Sequence, residues 1–224
     1  MLVKTEAIVL NFIKYKESSV IAKIYTSELG IQSYIVNGVR SKNKSKIALF
    51  QPLTILDLIV YQKHNVRLNR ISEIHCNQPY KSLPYDVKKT TIALMIAEVL
   101  IKTLKEEEAN KDLFFFLHKS LIILDSLESD YENFHIHFLF QLSSFHGIFP
   151  SSAKDIITST AIILTKEEEA NINRFIGTDF FEPVKISNAV RQRLLEILLM
   201  FFNKQIENFG ELKSVKILRE VLHQ

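Results

Sequence analysis

Val20-Ile21-Ala22-Lys23-Ile24-Tyr25-Thr26-Ser27-Glu28-Leu29-Gly30 sets Val20, Ala22 and Ile24 against Ile21, Lys23 and Tyr25, and then stops at a turn. Alternation of this kind is the period of a half-buried strand rather than of a helix. Gly30 suits the turn because a residue without Cβ takes positive φ without a clash. Upstream, Thr5-Glu6-Ala7-Ile8-Val9-Leu10-Asn11-Phe12-Ile13 is β-branched and apolar until Lys14-Tyr15-Lys16-Glu17-Ser18 breaks it. Downstream, residues 31–36, 55–61 and 66–74 give three more strands. The last alternates imperfectly, Val66 and Leu68 sharing a face that Ile71 leaves, so a bulge near Arg70 is expected. Five short strands in residues 4–75 predict a small barrel of the OB type, which closes its sheet edges.

From Pro84 onward the period changes to 3.6. Residues 91–104 put Ile92, Met95, Ile96, Val99 and Leu100 on one stripe, and the charged Lys105-Glu106-Glu107-Glu108 ends or solvates it. Residues 113–127 space Leu113, Phe116, Leu117, Leu121 and Leu124 for burial, and residues 136–145 form a further helix stopped by Gly147 and Pro150. Thr165-Lys166-Glu167-Glu168 has the spacing of a capping box, with Thr165 as N-cap, opening a helix through about Phe175. Residues 188–209 form the longest helix, ended by Gly210, and residues 213–222 close the chain. The fold class is therefore α+β and multidomain: a five-stranded barrel in residues 1–79, then an all-α bundle in residues 80–224, with the change of period near Asn77-Gln78-Pro79.

The 224 residues are 47% hydrophobic and 24% charged, with a mean hydropathy of +0.08, a balance that predicts a soluble globular protein. No apolar run reaches the ~18 residues that span a bilayer, since Glu196 interrupts even residues 194–202. The first residues lack the apolar region of a signal peptide, which implies the cytoplasm. Cys76 is the single cysteine, which leaves no intrachain disulfide.

Chemistry is easier to exclude than to find. The five glycines are scattered, so no glycine-rich loop cradles a phosphate, and no G-x-S-x-G elbow is present. His135 and His137 point about 200° apart on a helix and make poor joint ligands. Nothing is assembled for catalysis, and neither metal nor cofactor is expected.

Charge is the informative signal. The net charge is +3, yet residues 1–80 hold 11 Lys and Arg against 5 Asp and Glu. Such asymmetry points the first part at a polyanion. Gly38-Val39-Arg40-Ser41-Lys42-Asn43-Lys44-Ser45-Lys46 concentrates four cations between the third and fourth strands. Arg40, Lys42, Lys44 and Lys46 would therefore contact phosphates, together with Lys14, Lys16, Lys23, Lys63, Arg67 and Arg70 on the barrel. Tyr15, Tyr25, Tyr34 and Tyr61 are candidate stacking platforms, of which two belong to the core.

The order of several segments then resembles a known family. Thr5-Glu6-Ala7-Ile8-Val9-Leu10, Tyr15-Lys16-Glu17-Ser18-Ser19-Val20-Ile21, Tyr25-Thr26 with Gly30, Gly38-Val39-Arg40 with Ser45, and Gln51-Pro52 follow one another as in the N-terminal OB domain of the RecO family of bacterial recombination mediators. Leu142, Gly147-Ile148-Phe149-Pro150 and Leu212-Lys213-Ser214 continue the likeness more sparsely. The resemblance implies a non-enzymatic DNA repair and recombination protein that binds single- and double-stranded DNA and anneals complementary strands. It also implies work with RecR and the single-strand-binding protein (SSB) to help load RecA. A groove in the helical part would hold the SSB C-terminal tail, with Arg191, Arg193, Lys204, Lys213, Lys216 and Arg219 as charges for its carboxylates. Many members carry a cysteine zinc module after the Gly-Tyr-Pro segment, but residues 151–164 contain no cysteine, so that region must be held by packing alone. An RNA-binding OB module on a helical scaffold, as in a translation or ribosome-assembly factor, is the alternative reading.

Overall fold

The computed structural model describes residues 1–39, 45–62, 66–104, 109–179, 182 and 184–222, with Ser45 described by its backbone only. The strands are β1 (Leu2–Tyr15), β2 (Ser19–Thr26), β3 (Gly30–Val36), β4 (Ile55–Tyr61) and β5 (Asn69–His75), with the short helix α1 (Ser45–Ala48) between β3 and β4. They form a closed barrel in the order β1-β2-β3-β5-β4. Antiparallel ladders make most of it, and closure rests on a parallel pairing of β3 with β5 through Tyr34 with Asn69 and Ile35 with Arg70.

The alternation of β2 sorts its side chains as its spacing requires. Val20, Ala22 and Ile24 join Ala7, Val9, Tyr34, Leu56, Leu58 and Val60 in the core, while Ile21 and Lys23 stay half-buried on the outer face. Gly30 takes its turn at φ +62°. Tyr25 is also on the outer face but is buried, because Phe114 covers it at 6.1 Å between ring centroids and its hydroxyl donates to the Asn110 carbonyl at 3.3 Å. The expected bulge in β5 falls at Ser72, two residues beyond Arg70: Ile59 pairs with Glu73 whereas Val60 pairs with Ile71. Ile71 and Ile74 both pack against the core, and only an extra residue between them permits that at a spacing of three.

Gln51-Pro52-Leu53 returns the chain to the barrel in a strained form. Leu53 is fully buried at φ +64°, a conformation rare for a bulky residue. Surrounding bonds hold it there: its N–H donates to the Val9 carbonyl at 2.6 Å and its own carbonyl accepts from the Tyr80 hydroxyl at 2.6 Å.

The helices are α2 (Val87–Thr103), α3 (Lys111–Ser126), α4 (Phe134–Phe145), α5 (Ala153–Thr160), α6 (Lys166–Gly177), α7 (Asn188–Gln205) and α8 (Ser214–Leu222). The chain forms two compact units, one of Met1–Tyr85 with Ala93–Asp125 and the other of Asp86–Ile92 with Ser126–Gln224. None of the described helices is long and apolar enough to cross a membrane.

In the first unit, Asp125 at the end of α3 fastens the segment that leaves the barrel. Its carboxylate accepts the backbone N–H groups of Lys81, Ser82 and Leu83 at 2.7–3.1 Å. Burial raises the Asp125 pKa, but the hydrogen bonds from Lys81, Leu83 and Ser82 outweigh it and hold the group below the usual carboxylate range. The stripe on α2 is buried as spaced, whereas on α3 Phe114 is buried and Phe116 only half-buried.

In the second unit, Asp86 caps α2 by accepting the Lys89 N–H at 3.0 Å and also accepts the Tyr131 hydroxyl at 2.6 Å. Lys89 is 2% exposed, and its ammonium is held by the Leu127 carbonyl and lies 5.0 Å from the Tyr131 ring centroid. The capping box of α6 is present in full, Thr165 accepting from the Glu168 N–H and Glu168 from the Thr165 N–H. Helix α7 ends at Gln205 rather than near Gly210, because Phe209 turns back to bury its ring 5.5 Å from that of Phe202. Residues 151–164 are held by hydrogen bonds as well as packing: Ile156 is buried, the Ala153 N–H donates to Asn173 Oδ1 at 2.8 Å, and Ser151 donates to Asp155 from both backbone and hydroxyl.

His135 and His137 are both buried in α4. Burial, with the nearby Arg191 charge, pushes His135 down to about 3 against a hydrogen bond from its ring to the Glu132 backbone. Burial pushes His137 down to about 4, partly opposed by the Glu182 backbone. The His137 ring meets Phe175 edge-on at 4.6 Å.

Two measurements follow from these contacts. Asp125→Ala strands three backbone donors, so the unfolding free energy in urea should fall by roughly 2–4 kcal/mol; a loss below ~0.5 kcal/mol would mean that Asp125 does not fasten this segment. For the histidines, the unfolded chain binds protons near pH 6.5 while the folded chain resists until about pH 4 or below. Stability is therefore lost as pH falls from ~6.5 toward ~4, by up to about 1.4 kcal/mol per histidine per pH unit. His137→Phe keeps a ring against Phe175 and should flatten the fall in melting temperature across that window; an unchanged slope would exclude His137 as its source.

Candidate nucleic-acid interface

The ladder registers place the barrel cations individually. Lys14 is exposed and pairs with Val20, so it shares the core-facing row at the open end of β1. Lys23 pairs with Asn11 and Ser33 on the outer face, and Lys14 and Lys23 therefore stand on opposite faces of the β1–β2 ladder. Lys16 follows β1 at φ +50°, with its ammonium 5.4 Å from the Tyr15 ring centroid. Arg67 is exposed in the approach to β5. Arg40, Lys42, Lys44 and Lys63 lie outside the described residues.

Lys46 and Arg70 are brought together. Both line a groove of about 360 Å³ with Ile35, Val36, Asn37, Val39, Leu49, Phe50, Ile71, Ser72 and Ile74. The groove opens where β3 and β5 part after their two pairs. Phe50 and Val39 are buried beneath it, Ile35, Val36, Leu49, Ile71 and Ile74 are half-buried, and Asn37, Lys46, Arg70 and Ser72 are exposed at its rim. Among the described residues no carboxylate belongs to the lining, which favours an anion there. Of these residues the sequence pointed only to the two cations; the failed alternation around Ile71 was the available signal for the rest, because it marks where β5 bends away from β3.

Arg70 also belongs to an outer row that circles the barrel. Cross-strand partners share a face, and Ile13, Ile21, Ile35, Arg70, Tyr61 and Leu2 are successive partners. Leu2, Ile13 and Tyr61 are 56%, 59% and 46% exposed, which leaves apolar and aromatic surface beside a guanidinium. Of the four tyrosines, Tyr25 and Tyr34 are buried, Tyr15 is half-buried and Tyr61 is exposed opposite Arg70.

The chain matches two adjoining family models, Recombination protein O N terminal over residues 1–80 and Recombination protein O C terminal over residues 84–166. Proteins named DNA repair protein RecO from Flavobacterium psychrophilum and Flavobacterium johnsoniae are 35% and 32% identical to it, each alignment covering 99% of both chains. That from Phocaeicola vulgatus is 32% identical with the same coverage. The chain belongs to the RecO family. Its place is therefore in DNA repair and recombination, and the barrel with the helices after it is the OB fold and helical domain of a RecO protein. Residues 151–164 carry neither cysteine nor histidine. In the helical part, the three arginines expected to meet the tail are already engaged: Arg193 pairs with Glu168 at 2.7 Å, Arg219 with Glu196 at 2.8 Å, and Arg191 donates to Asn133 at 2.6 Å. Lys204, Lys213 and Lys216 are exposed.

Replacing Lys46 and Arg70 together with glutamine should lower the slope of log affinity against log salt for single-stranded DNA by about 1.4, two contacts at ~0.7 each. An unchanged slope would remove both from the phosphate contacts.

Proposed function

We propose that this protein binds single- and double-stranded DNA through its barrel, anneals complementary strands, and with RecR assists RecA loading on DNA coated with SSB. The observation that carries this reading is the carboxylate-free groove with Lys46 and Arg70 at its rim, on a barrel whose part of the chain holds the excess of cations. Residues 1–79 act as the nucleic-acid-binding domain and residues 80–224 as the helical domain that meets protein partners, including the SSB tail. Arg40, Lys42, Lys44 and Lys63 extend the basic surface, Lys14, Lys16, Lys23 and Arg67 add contacts around the barrel, and the protein works in the cytoplasm without catalysis.

Physically, annealing needs contacts that hold backbones while leaving base edges free to pair. Lysine and arginine on phosphate do this: each contact releases condensed counterion and reads no sequence. Binding is then strong at low salt, weak at high salt and indifferent to sequence.

The test is a strand-annealing assay on complementary oligonucleotides, bare and coated with the cognate SSB, with matched RNA as comparison. Faster annealing of both DNA substrates is expected, and neutralising Arg40, Lys42, Lys44 and Lys46 together should flatten the single-strand salt slope by about 3. Tighter binding to RNA with no annealing of DNA would replace this reading with the RNA-binding one.

A further inference from the structure

The seam groove has a shape that phosphate contacts alone do not use. Its two cations sit at the rim, while between them lies a half-buried aliphatic floor of Ile35, Val36, Leu49, Ile71 and Ile74. A volume of about 360 Å³ lies within the ~300–1,000 Å³ that small organic ligands occupy. At the edge, Asn37 Oδ1 is taken by the Ser19 hydroxyl at 3.0 Å, which leaves its amide nitrogen for a ligand, and the Ser72 hydroxyl is exposed beside it.

We propose that this groove receives one unstacked nucleobase of a single strand, with the phosphates on either side held by Lys46 and Arg70. The inference rests on the DNA-binding reading above and adds a base-recognising subsite to it. A nucleotide joins a flat, largely apolar group to one negative charge per unit, and the groove offers an apolar floor, polar atoms at the edge and a cation at the rim. An acidic peptide could satisfy the cations, but it does not carry a fixed charge on both sides of each flat group as a nucleic-acid strand does. Asn37 can donate and Ser72 can donate or accept without selecting one base, as a sequence-tolerant site requires.

Such a site distinguishes strand from duplex. A base in a duplex is paired and stacked, and withdrawing it costs a few kcal/mol; a base in a single strand is already free. Pairing with a complement therefore pulls the base out of the groove, and the annealed product keeps only its phosphate contacts. Pairing of the strand and loss of its base contact become the same event.

The experiment measures affinity of the full chain for a labelled thymidine 15-mer and for a 15-mer of abasic residues with the same phosphates, at one salt concentration. The thymidine strand should bind about 5- to 150-fold more tightly, as expected for one base contact of ~1–3 kcal/mol. Ser72→Phe, which fills the groove from its rim, and Ile35→Ala, which lowers its floor, should bring that ratio toward one, with circular dichroism melts confirming that each variant is folded. Equal affinity of the wild type for the two strands overturns the inference while leaving DNA binding in place. An unchanged ratio in both folded variants overturns it as well, by placing the bases elsewhere. If the groove variants lose RecR or SSB binding and keep the ratio, the groove is a protein-docking surface and the inference fails. Failure to bind either strand refutes the DNA-binding reading itself.

Discussion

Two residue pairs, Tyr34 with Asn69 and Ile35 with Arg70, turn a twisted sheet into a closed barrel. Parallel pairing is slightly weaker per residue than antiparallel pairing, so side chains must carry part of the closure. Asn69 does so by donating to Gln32 Oε1 at 3.2 Å, and Tyr34 fills the core behind the seam without any exposure. Closure has a polar cost: the Tyr34 hydroxyl and Asn69 Oδ1 are buried with no partner among the described residues, and burial drives the Tyr34 pKa upward. An orphaned polar atom costs about 1–3 kcal/mol, of the same size as the ~1.5–3 kcal/mol from burying a large apolar side chain. The seam is stable because it abolishes two exposed strand edges and not because its own bonds are strong.

The brevity of that pairing makes the groove. After Ile35 and Arg70 the strands part, and Val39, Leu49 and Phe50 come from the connection between β3 and β4 to cover the core they expose. The bulge at Ser72 belongs to the same solution, since it lets Ile71 and Ile74 both face inward as β5 bends away. Leu53, held at positive φ by bonds to Val9 and Tyr80, returns the connection to β4.

Local rules made the elements legible. The alternation in β2, the turn at Gly30 and the Thr165 capping box are set by neighbours in sequence, and the molecule forms them as their spacing requires. Contacts between distant residues were not legible. Tyr25 has the spacing of an outer-face residue yet is buried, because Phe114, far along the chain, packs over it. The helix before Gly210 stops early because the Phe209 ring is drawn to Phe202. The site divides in the same way: composition located the basic half of the chain, but only the strand register separates Lys14 from Lys23 and joins Lys46 to Arg70.

On the proposed DNA-binding reading, the arrangement of charge would let one surface both bind strands and exchange them. If the cations formed the floor of a deep cleft, desolvation would strengthen each phosphate contact and slow the release of every strand. Here Lys46 and Arg70 are exposed at a rim, where solvent and salt screen them and each contact remains modest and reversible. On that reading affinity would come from many weak phosphate contacts, and selectivity for the unpaired state from the small apolar floor between them. In the proposed scheme charge would bring strands to the barrel and the floor would make pairing the step that loosens them, so added rim charge alone would raise affinity without improving annealing.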